Sequence, residues 1–359
     1  MRKKTISVLL NGWGGFAGTS IIDCLKNNFE NRNVKVICTD IEQKPLLQHK
    51  ADDFYILPKG NSKNYVKSLL NLCKKEQIDV IMPGSAPEIY TVSKNLNLLI
   101  SKNIFPTVSD FASIKKTLDK VKTYQTLQKF NIPTPKFFRV KNKKQFLNAL
   151  KSLGYPTNPI CFKPSPYVLS GGARGFRILR KENTLEKIIL HQKPGSSEID
   201  YQTALNFVKN TPKLDLLVME YLPGKEYSVY VFADKGHMLY CIPNLRERLQ
   251  QFYSFEASTQ KNKMIKSICR RIIEALNLDY NINIQLKLSK NGKPKVVEIN
   301  PRMGGSIVLP CVAGINLPYL AVKHALKEKI PKQQNFHKAK MIRYWKEFFI
   351  VKKNTFEYS

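Results

Sequence analysis

The chain has 359 residues, 43% of them apolar, and a formal net charge of +32. At roughly 100–200 residues per domain this length sets an expectation of two or three domains, and with no stretch near about 18 consecutive apolar residues no membrane span is expected. A charge of +32 requires a polyanion partner to be weighed, yet it is spread along the chain: clusters such as "KNKK" (Lys141 to Lys144) are short, and no basic stripe is interleaved with aromatics.

The chain opens on "MRKKTISVLLNGWGG", a basic head followed by a short apolar run. A signal peptide needs a longer apolar region and a small-residue cleavage site, so the run is expected to be a first strand. "GTSIIDCLKNNF" then reads as a helix, "VKVICTD" as a strand, "NYVKSLLNLCKKEQ" as an amphipathic helix, "DVIMPG" as a buried strand and "EIYTVSKNLNLLISKN" as a helix. Short apolar strands alternating with helices over residues 1–108 predict a doubly wound parallel sheet. "SDFASIKKTLDKVKTYQTLQKFNIPTP" follows as one helix, with Ser109 at its N-cap and two prolines ending it. Residues 136–219 mix strands ("KFFRV", "PICFKPS", "FRILR", "LLVME") with two helices, "KKQFLNALKSL" and "NTLEKIIL". Residues 220–325 hold the strands "EYSVYVFA", "MLYCIPN", "INIQLKLS" and "KVVEIN" and the helix "KNKMIKSICRRIIEAL". Strict alternation ends there, so the second half is expected to be α+β. A basic tail, 326–359, closes the chain.

The seven cysteines, Cys24, Cys38, Cys73, Cys161, Cys241, Cys269 and Cys311, are scattered, odd in number and without a Cys-x-x-Cys pair. That argues against a disulfide framework or a zinc site and fits a reducing, cytoplasmic setting. In "LLNGWGGFAG" the glycines Gly12, Gly14 and Gly18 resemble the Gly-x-Gly-x-x-Gly dinucleotide fingerprint with one residue too many. Asp40 stands about where a ribose-binding acid would. A dehydrogenase holding NAD on this loop is therefore one alternative.

The most informative stretch is "NINIQLKLSKNGKPKVVEINPR". Asn-Gly between two alternating runs is a strong hairpin signal. With Asn291 and Gly292 as a two-residue turn, Ile284 faces Ile299 and Leu286 faces Val297 on a buried side continued by Ile282 and Leu288. On the polar side Gln285 falls opposite Glu298 and Asn283 opposite Asn300, with Asn281 near Arg302; opposed Cβ atoms lie about 4.5–5.5 Å apart. One carboxylate and several amide oxygens suit Mg²⁺, which takes hard oxygen ligands together with substrate phosphates. Arg302 would stabilise charge on a transferring phosphoryl group.

At these residues the sequence resembles the ATP-grasp superfamily: "VVEINPRMGG" is similar to its Glu-x-Asn-Pro-Arg signature, preceded by a Gln on the neighbouring strand. The resemblance implies that Gln285, Glu298 and Asn300 hold magnesium on the ATP phosphates (Mn²⁺ being a substitute) and that Arg302 lies near the γ-phosphate and acyl phosphate. "PICFKPSPYVLSGGARGF" resembles the family's phosphate-covering loop. Lys163 sits on the strand before it, and Gly171, Gly172, Ala173, Arg174 and Gly175 lie in it; a strand lysine reaches phosphate as a point charge and glycine backbone amides approach an anion closely. "LLVMEYLPGKEYSVYVF" resembles the hinge that clamps adenine, implying contacts from Glu220, Tyr221 and Leu222, with Glu226 on the ribose. Lys120 matches the family's first basic nucleotide contact. Arg246 and Arg248 are candidates for a substrate carboxylate or phosphate, Arg246 with a catalytic role.

Four motifs in family order cover nearly the whole chain, closest to the branch of the carbamoyl phosphate synthetase large chain. The implied organisation is a Rossmann-like pre-ATP-grasp domain (1–108), an N-terminal lobe with its linker helix (109–219), a C-terminal lobe with the metal site (220–325) and the basic tail (326–359). The first domain would then carry no nicotinamide; Gly14 and Gly15, with Trp13 beside them, would form part of the substrate wall, completed by Gly304 and Gly305. The implied activity is phosphorylation of a small carboxylate by MgATP to an acyl phosphate, attacked by an amine to give an amide. Phosphorylation of bicarbonate or carbamate is the enzymatic alternative. A polyanion-binding protein with a non-catalytic ATP-grasp shell is the alternative of another class, so nucleic acid is a less favoured partner. A homodimer stays open, and the substrates carry no readable code.

Overall fold

The structure, a computed structural model, describes residues 5–15, 17–165, 175–182, 184–191, 196–250, 253–332, 335–351 and 354–357. Its chain divides into two compact units, one of residues 1–115, 227–285 and 299–359, the other of residues 116–226 and 286–298.

The first unit starts with β1 (Ile6–Asn11), α1 (Gly18–Lys26), β2 (Val34–Asp40), α2 (Pro45–Lys50), β3 (Asp53–Ile56), α3 (Tyr65–Glu76), β4 (Val80–Pro83), α4 (Ala86–Lys94), α5 (Leu96–Ile100), β5 (Phe105–Pro106) and α6 (Phe111–Leu118). The strands form one parallel sheet in the order β3-β2-β1-β4-β5, with Ile6 beside Val34 and Val8 beside Val80. β1 and β4 are buried along nearly their whole length, which explains their mainly apolar sequences: helices cover both faces of a parallel sheet. α4 starts on a capping box of Ser85 and Glu88. The helix expected over residues 88–103 is interrupted at Asn95.

The long helix expected after Ser109 is also two helices. Asp119 leaves the helical path and accepts hydrogen bonds from the amides of Val121 (3.0 Å) and Lys122 (3.1 Å), so it caps a new helix rather than continuing the old one. Ser109 is no cap: its hydroxyl exchanges two hydrogen bonds with the backbone of Asp279.

The second unit holds α7 (Lys120–Lys129), β6 (Phe137–Val140), α8 (Lys143–Ser152), β7 (Ile160–Pro164), β8 (Arg177–Leu179), α9 (Leu185–His191), β9 (Glu198–Ile199), α10 (Tyr201–Asn210) and β10 (Leu216–Glu220). The sheet order is β6-β10-β7-β8-β9, with β10 antiparallel to both β6 and β7. Val140, Phe146, Phe162, Ala204, Leu216 and Val218 belong to its core. α10 has no counterpart in the sequence reading; Asp200 caps it by accepting from the Thr203 amide at 2.9 Å.

The chain then returns to the first unit through β11 (Glu226–Asp234), β12 (His237–Gln250), β13 (Tyr253–Thr259) and α11 (Lys263–Leu276). The hairpin of β14 (Tyr280–Leu288) and β15 (Pro294–Asn300) is shared between the units, and α12 (Val308–Val312), α13 (Leu317–Ala325), β16 (Lys340–Ile342), β17 (Phe348–Val351) and β18 (Asn354–Glu357) follow. A six-stranded sheet runs β15-β14-β11-β12-β13-β16. The basic tail thus contributes an edge strand, with Met341 paired to Ala257. Val8 and Leu10 of the parallel sheet share one apolar core with Tyr230, Phe232, Tyr319 and Leu320.

The hairpin turn departs from the two-residue expectation. The Gly292 amide donates to the Ser289 carbonyl (3.0 Å) and the Ser289 amide to the Lys293 carbonyl (2.9 Å). Lys290, Asn291 and Gly292 therefore form a three-residue loop, with Gly292 at φ +70° supplying the left-handed position that closes it. Near the turn the register shifts by one. Val296, not Val297, is fully buried, and the facing of Gln285 with Glu298 loses the support of the turn geometry. Asn281 and Asn283, expected on the metal-facing side, are buried: Asn281 donates to the Leu317 carbonyl (3.1 Å) and Asn283 to Ser228 Oγ (2.8 Å).

Candidate functional site

Within the second unit, β7 carries the apolar run "ICFKP", which draws Lys163 into the interior, and Asp119 sets Lys120 at the first position of α7. Each lysine is only 7% exposed. Lys163 Nζ donates to the Val297 carbonyl at 3.3 Å, which also accepts from the Tyr124 hydroxyl at 2.7 Å. This double contact pins β15 at the residue before Glu298. Burial, and next the charge of Lys163, push the Lys120 ammonium down to about 8, while the charge of Glu298 pulls it back up. Two ammonium groups so placed repel each other in a low dielectric, a cost that the charge of Glu298 offsets in part and that further negative charge would reduce. Glu298 is half-buried, and among the described residues no lysine or arginine forms an ion pair with it.

At the end of β10, Glu220 forms an ion pair with Lys295. The Tyr221 ring has the Arg180 guanidinium 4.5 Å and the Lys287 ammonium 4.9 Å from its centroid. Leu222 is buried and Glu226 half-buried. Lys287 and Lys295 reach neighbouring residues, as expected if the shifted register places them opposite each other. Gly175 has φ +74°, and a Cβ there would lie 2.7 Å from Pro164, beside Lys163. Gly171, Gly172, Ala173 and Arg174 lie outside the described residues. Ser165 Oγ is buried with no partner among the described residues.

Within the first unit, Asn300 is buried, while Gln285 and Arg302 are half-buried. Arg302 Nη1 donates to the Met303 carbonyl at 2.5 Å. Gly304 is tightly enclosed: a Cβ would lie 2.8 Å from Asn283 Cγ and 3.0 Å from the Tyr230 hydroxyl. Gly305 is exposed, and its carbonyl accepts from Arg343 Nη2 at 2.7 Å. The Tyr230 hydroxyl accepts from the Ser306 amide at 2.8 Å; burial raises this phenol, and Arg246 is among the groups that oppose the rise. Arg246 Nε donates to Ser254 Oγ at 2.9 Å. Arg248 is ion-paired to Glu256 at 2.8 Å and more than half exposed.

Tyr230 and Arg343 had no signal in the sequence: one reads as a strand aromatic, the other as part of a basic tail. Only the pairing of β16 with β13 brings "KMIR" to the Gly304–Ser306 turn.

The glycine loop after β1 differs from expectation. Trp13 is buried and its Nε1 donates to the Met82 carbonyl at 2.8 Å, so it is a core residue of the parallel-sheet region rather than a pocket wall. Asp40 Oδ2 accepts from the Gly14 amide at 2.9 Å. Gly14 is half-buried and Gly15 is exposed, with nothing within 4 Å of a Cβ built there.

Residues 213–348 match a family model described as ATP-grasp in the biosynthetic pathway with Ter operon, and residues 14–104 match the PylC-like N-terminal domain. A carbamoyl phosphate synthase large chain of Pyrococcus furiosus is 26% identical over 319 residues, 85% of this chain and 27% of the relative. The chain thus spans about a quarter of the length of the curated relatives it matches. Among solved structures, N5-carboxyaminoimidazole synthetase from Staphylococcus aureus complexed with ADP superposes with a TM-score of 0.69 at 17% identity, covering 96% of this chain and 84% of that one. An L-amino acid ligase from Bacillus licheniformis gives 0.62 at 17% identity, covering 91% and 75%. The fold is that of these enzymes, as the order of strands and motifs led us to expect.

Proposed function

We propose that the chain is an ADP-forming ATP-grasp ligase, joining a carboxylate to an amine with ATP as phosphoryl donor; the match of residues 213–348 to an ATP-grasp model and of residues 14–104 to a PylC-like N-terminal domain model supports this reading. The observation that carries the proposal is the buried pair Lys120 and Lys163, set in each other's field and in that of Glu298. Such a pair is suited to the phosphates of a nucleotide, whose negative charge would relieve the repulsion. Tyr221, Leu222 and the end of β10 lie in the same unit and are the proposed adenine contacts; Glu226 is the proposed ribose contact.

By donor chemistry the residues suit a magnesium ion: Glu298 offers a carboxylate not engaged in an ion pair among the described residues, and Gln285 and Asn300 are proposed to supply amide oxygens, all hard ligands. Mg²⁺ held there would neutralise charge on the terminal phosphates; Mn²⁺ would suit the same donors.

In the reaction, a carboxylate oxygen of the substrate bonds to the γ-phosphorus as the bond from that phosphorus to the β–γ bridging oxygen breaks, and ADP leaves. Lys120 and Lys163 hold charge on the phosphate oxygens as it redistributes. Arg302 is assigned to the acyl phosphate. The amine then attacks the carbonyl carbon, the C–N bond forms, inorganic phosphate leaves and the amine gives up a proton. Arg246, with Tyr230 near it, is assigned to the substrate's own anionic group; the turn at Gly304 and Gly305 would border it.

ADP release from MgATP, measured against pools of amino acids, small carboxylates and bicarbonate, tests the reading. Release that depends on one organic carboxylate pool with an amine, and is lost in Glu298→Gln, is the expected result. Release with bicarbonate alone would move the substrate to the carboxylase-like class. No release from any pool, with nucleotide binding the same in wild type and Glu298→Gln, would overturn it.

A further inference from the structure

Three side chains outside the proposed nucleotide region converge on one point in the first unit. Asp234 ends β11, Asp279 precedes β14 and His324 lies in the last turn of α13. His324 Nε2 is 3.1 Å from Asp279 Oδ1 and 3.5 Å from Asp234 Oδ1, and one ligand atom from each residue lies within 4.8 Å of the others. Two donors each about 2.1 Å from a shared ion at a tetrahedral angle stand about 3.4 Å apart, so the separations to the histidine, which also suit a hydrogen bond and an ion pair, leave the three donors close enough to share one ion.

The surroundings favour the same reading. The chain has 59 lysines and arginines against 27 acidic residues, yet among the described residues neither Asp234 nor Asp279 forms an ion pair with a lysine or arginine. Two carboxylates face a single imidazole, and the charge of Lys235 reaches the cluster without forming an ion pair with either carboxylate among the described residues. The backbone of Asp279 is fixed by its two hydrogen bonds with Ser109. Its Oδ1 accepts from the amide of Tyr280, a non-glycine residue at φ +62°. The rings of Tyr280 (4.8 Å) and Phe232 (5.7 Å) wall the imidazole. His324 and Asp279 have side chains 17% and 14% exposed, whereas Asp234 is 46% exposed, which leaves one side open to solvent and a fourth ligand.

We propose that Asp234, Asp279 and His324 bind a divalent cation of the zinc class, separate from the magnesium of the nucleotide. One imidazole and two carboxylates form a mixed N/O donor set, which takes zinc, cobalt or nickel in preference to magnesium. The ion would tie the end of β11 to the start of β14 and to α13.

The test uses the full chain, stripped with chelator and free of nucleotide, titrated with Zn²⁺ by calorimetry and with Co²⁺ followed by visible absorption. One zinc per chain is expected. The dissociation constant should rise at least about tenfold in His324→Gln and in Asp234→Asn, with the cobalt bands lost in the first. Asp234 is the most exposed of the three, so its variant keeps the test valid if His324→Gln folds poorly. Glu298→Gln should bind zinc as the wild type does. Zinc binding equal in wild type and both cluster variants, or absent from all, would overturn the proposal and leave the cluster as an imidazolium held between two carboxylates.

Discussion

Replacing Lys120 by methionine should make the protein more stable and a worse binder of nucleotide. Lys120 is 7% exposed, and burial together with the charge of Lys163 moves its ammonium from the ordinary 10.5 to about 8. At about 1.4 kcal/mol per pH unit, that difference is a cost of ~3 kcal/mol to the fold wherever the lysine is protonated in both states. The sign follows from proton binding. Between about pH 8 and 10.5 the unfolded chain holds the proton that the folded chain has released, so stability rises with pH across that window. Below about pH 8 the full cost is present. Lys120→Met, of similar length and without charge, should therefore gain about 2–3 kcal/mol at pH 7 and nothing near pH 10.5. Urea unfolding of both proteins at pH 7 and at pH 10 isolates the effect, because every other lysine is common to the two. The same variant should bind ADP at least about tenfold more weakly, the loss of one charge-assisted contact. A variant less stable than wild type at pH 7, or one binding ADP as before, would refute the idea that Lys120 is held in a costly state for the sake of an anion.

Gly12→Ala should cost about 3 kcal/mol by thermal unfolding, because a Cβ there would lie 1.9 Å from Glu88 Oε2 at φ +73°, and Glu88 is fixed in the capping box of α4. Gly292→Ala meets no atom within 4 Å and should cost only about 1–2 kcal/mol, the penalty of its left-handed backbone at φ +70°; a neutral result would refute that backbone conformation. Lys323, 4% exposed, ion-pairs with Glu30 at 2.6 Å and Glu328 at 3.3 Å, so Lys323→Met should destabilise by about 2–3 kcal/mol at pH 7. Burial acts to raise Glu328, but Arg32 and Lys323 outweigh it and hold the carboxyl below its ordinary 4.5. Its contribution is present above pH 4.5 and is lost as pH falls through the lowered value, so the stability gap between wild type and Glu328→Gln should shrink between pH 7 and pH 3.

Periodicity alone determined the parallel sheet of residues 1–108, because strands covered on both faces must be apolar throughout and the helices between them amphipathic. It also placed the β14–β15 hairpin and, with it, the Glu298 and Asn300 pair two residues apart on one strand. What depends on contacts distant in sequence was decided by the tertiary structure. The split at Asp119 was settled by one side chain capping the next helix, which helical periodicity does not register. The hairpin register next to the turn depended on whether Gly292 closes a two- or three-residue loop, a choice of backbone angle that moves the neighbouring side chains by one place. Trp13 looked like a pocket residue beside its glycines and became core because the Met82 carbonyl accepts its indole N–H. Burial of Lys120 beside Lys163, and the meeting of Asp234 and Asp279 with His324, join residues that only folding brings together. Charge and hydrogen-bond geometry in such sites depend on distance in space, which the order of residues along a chain does not contain.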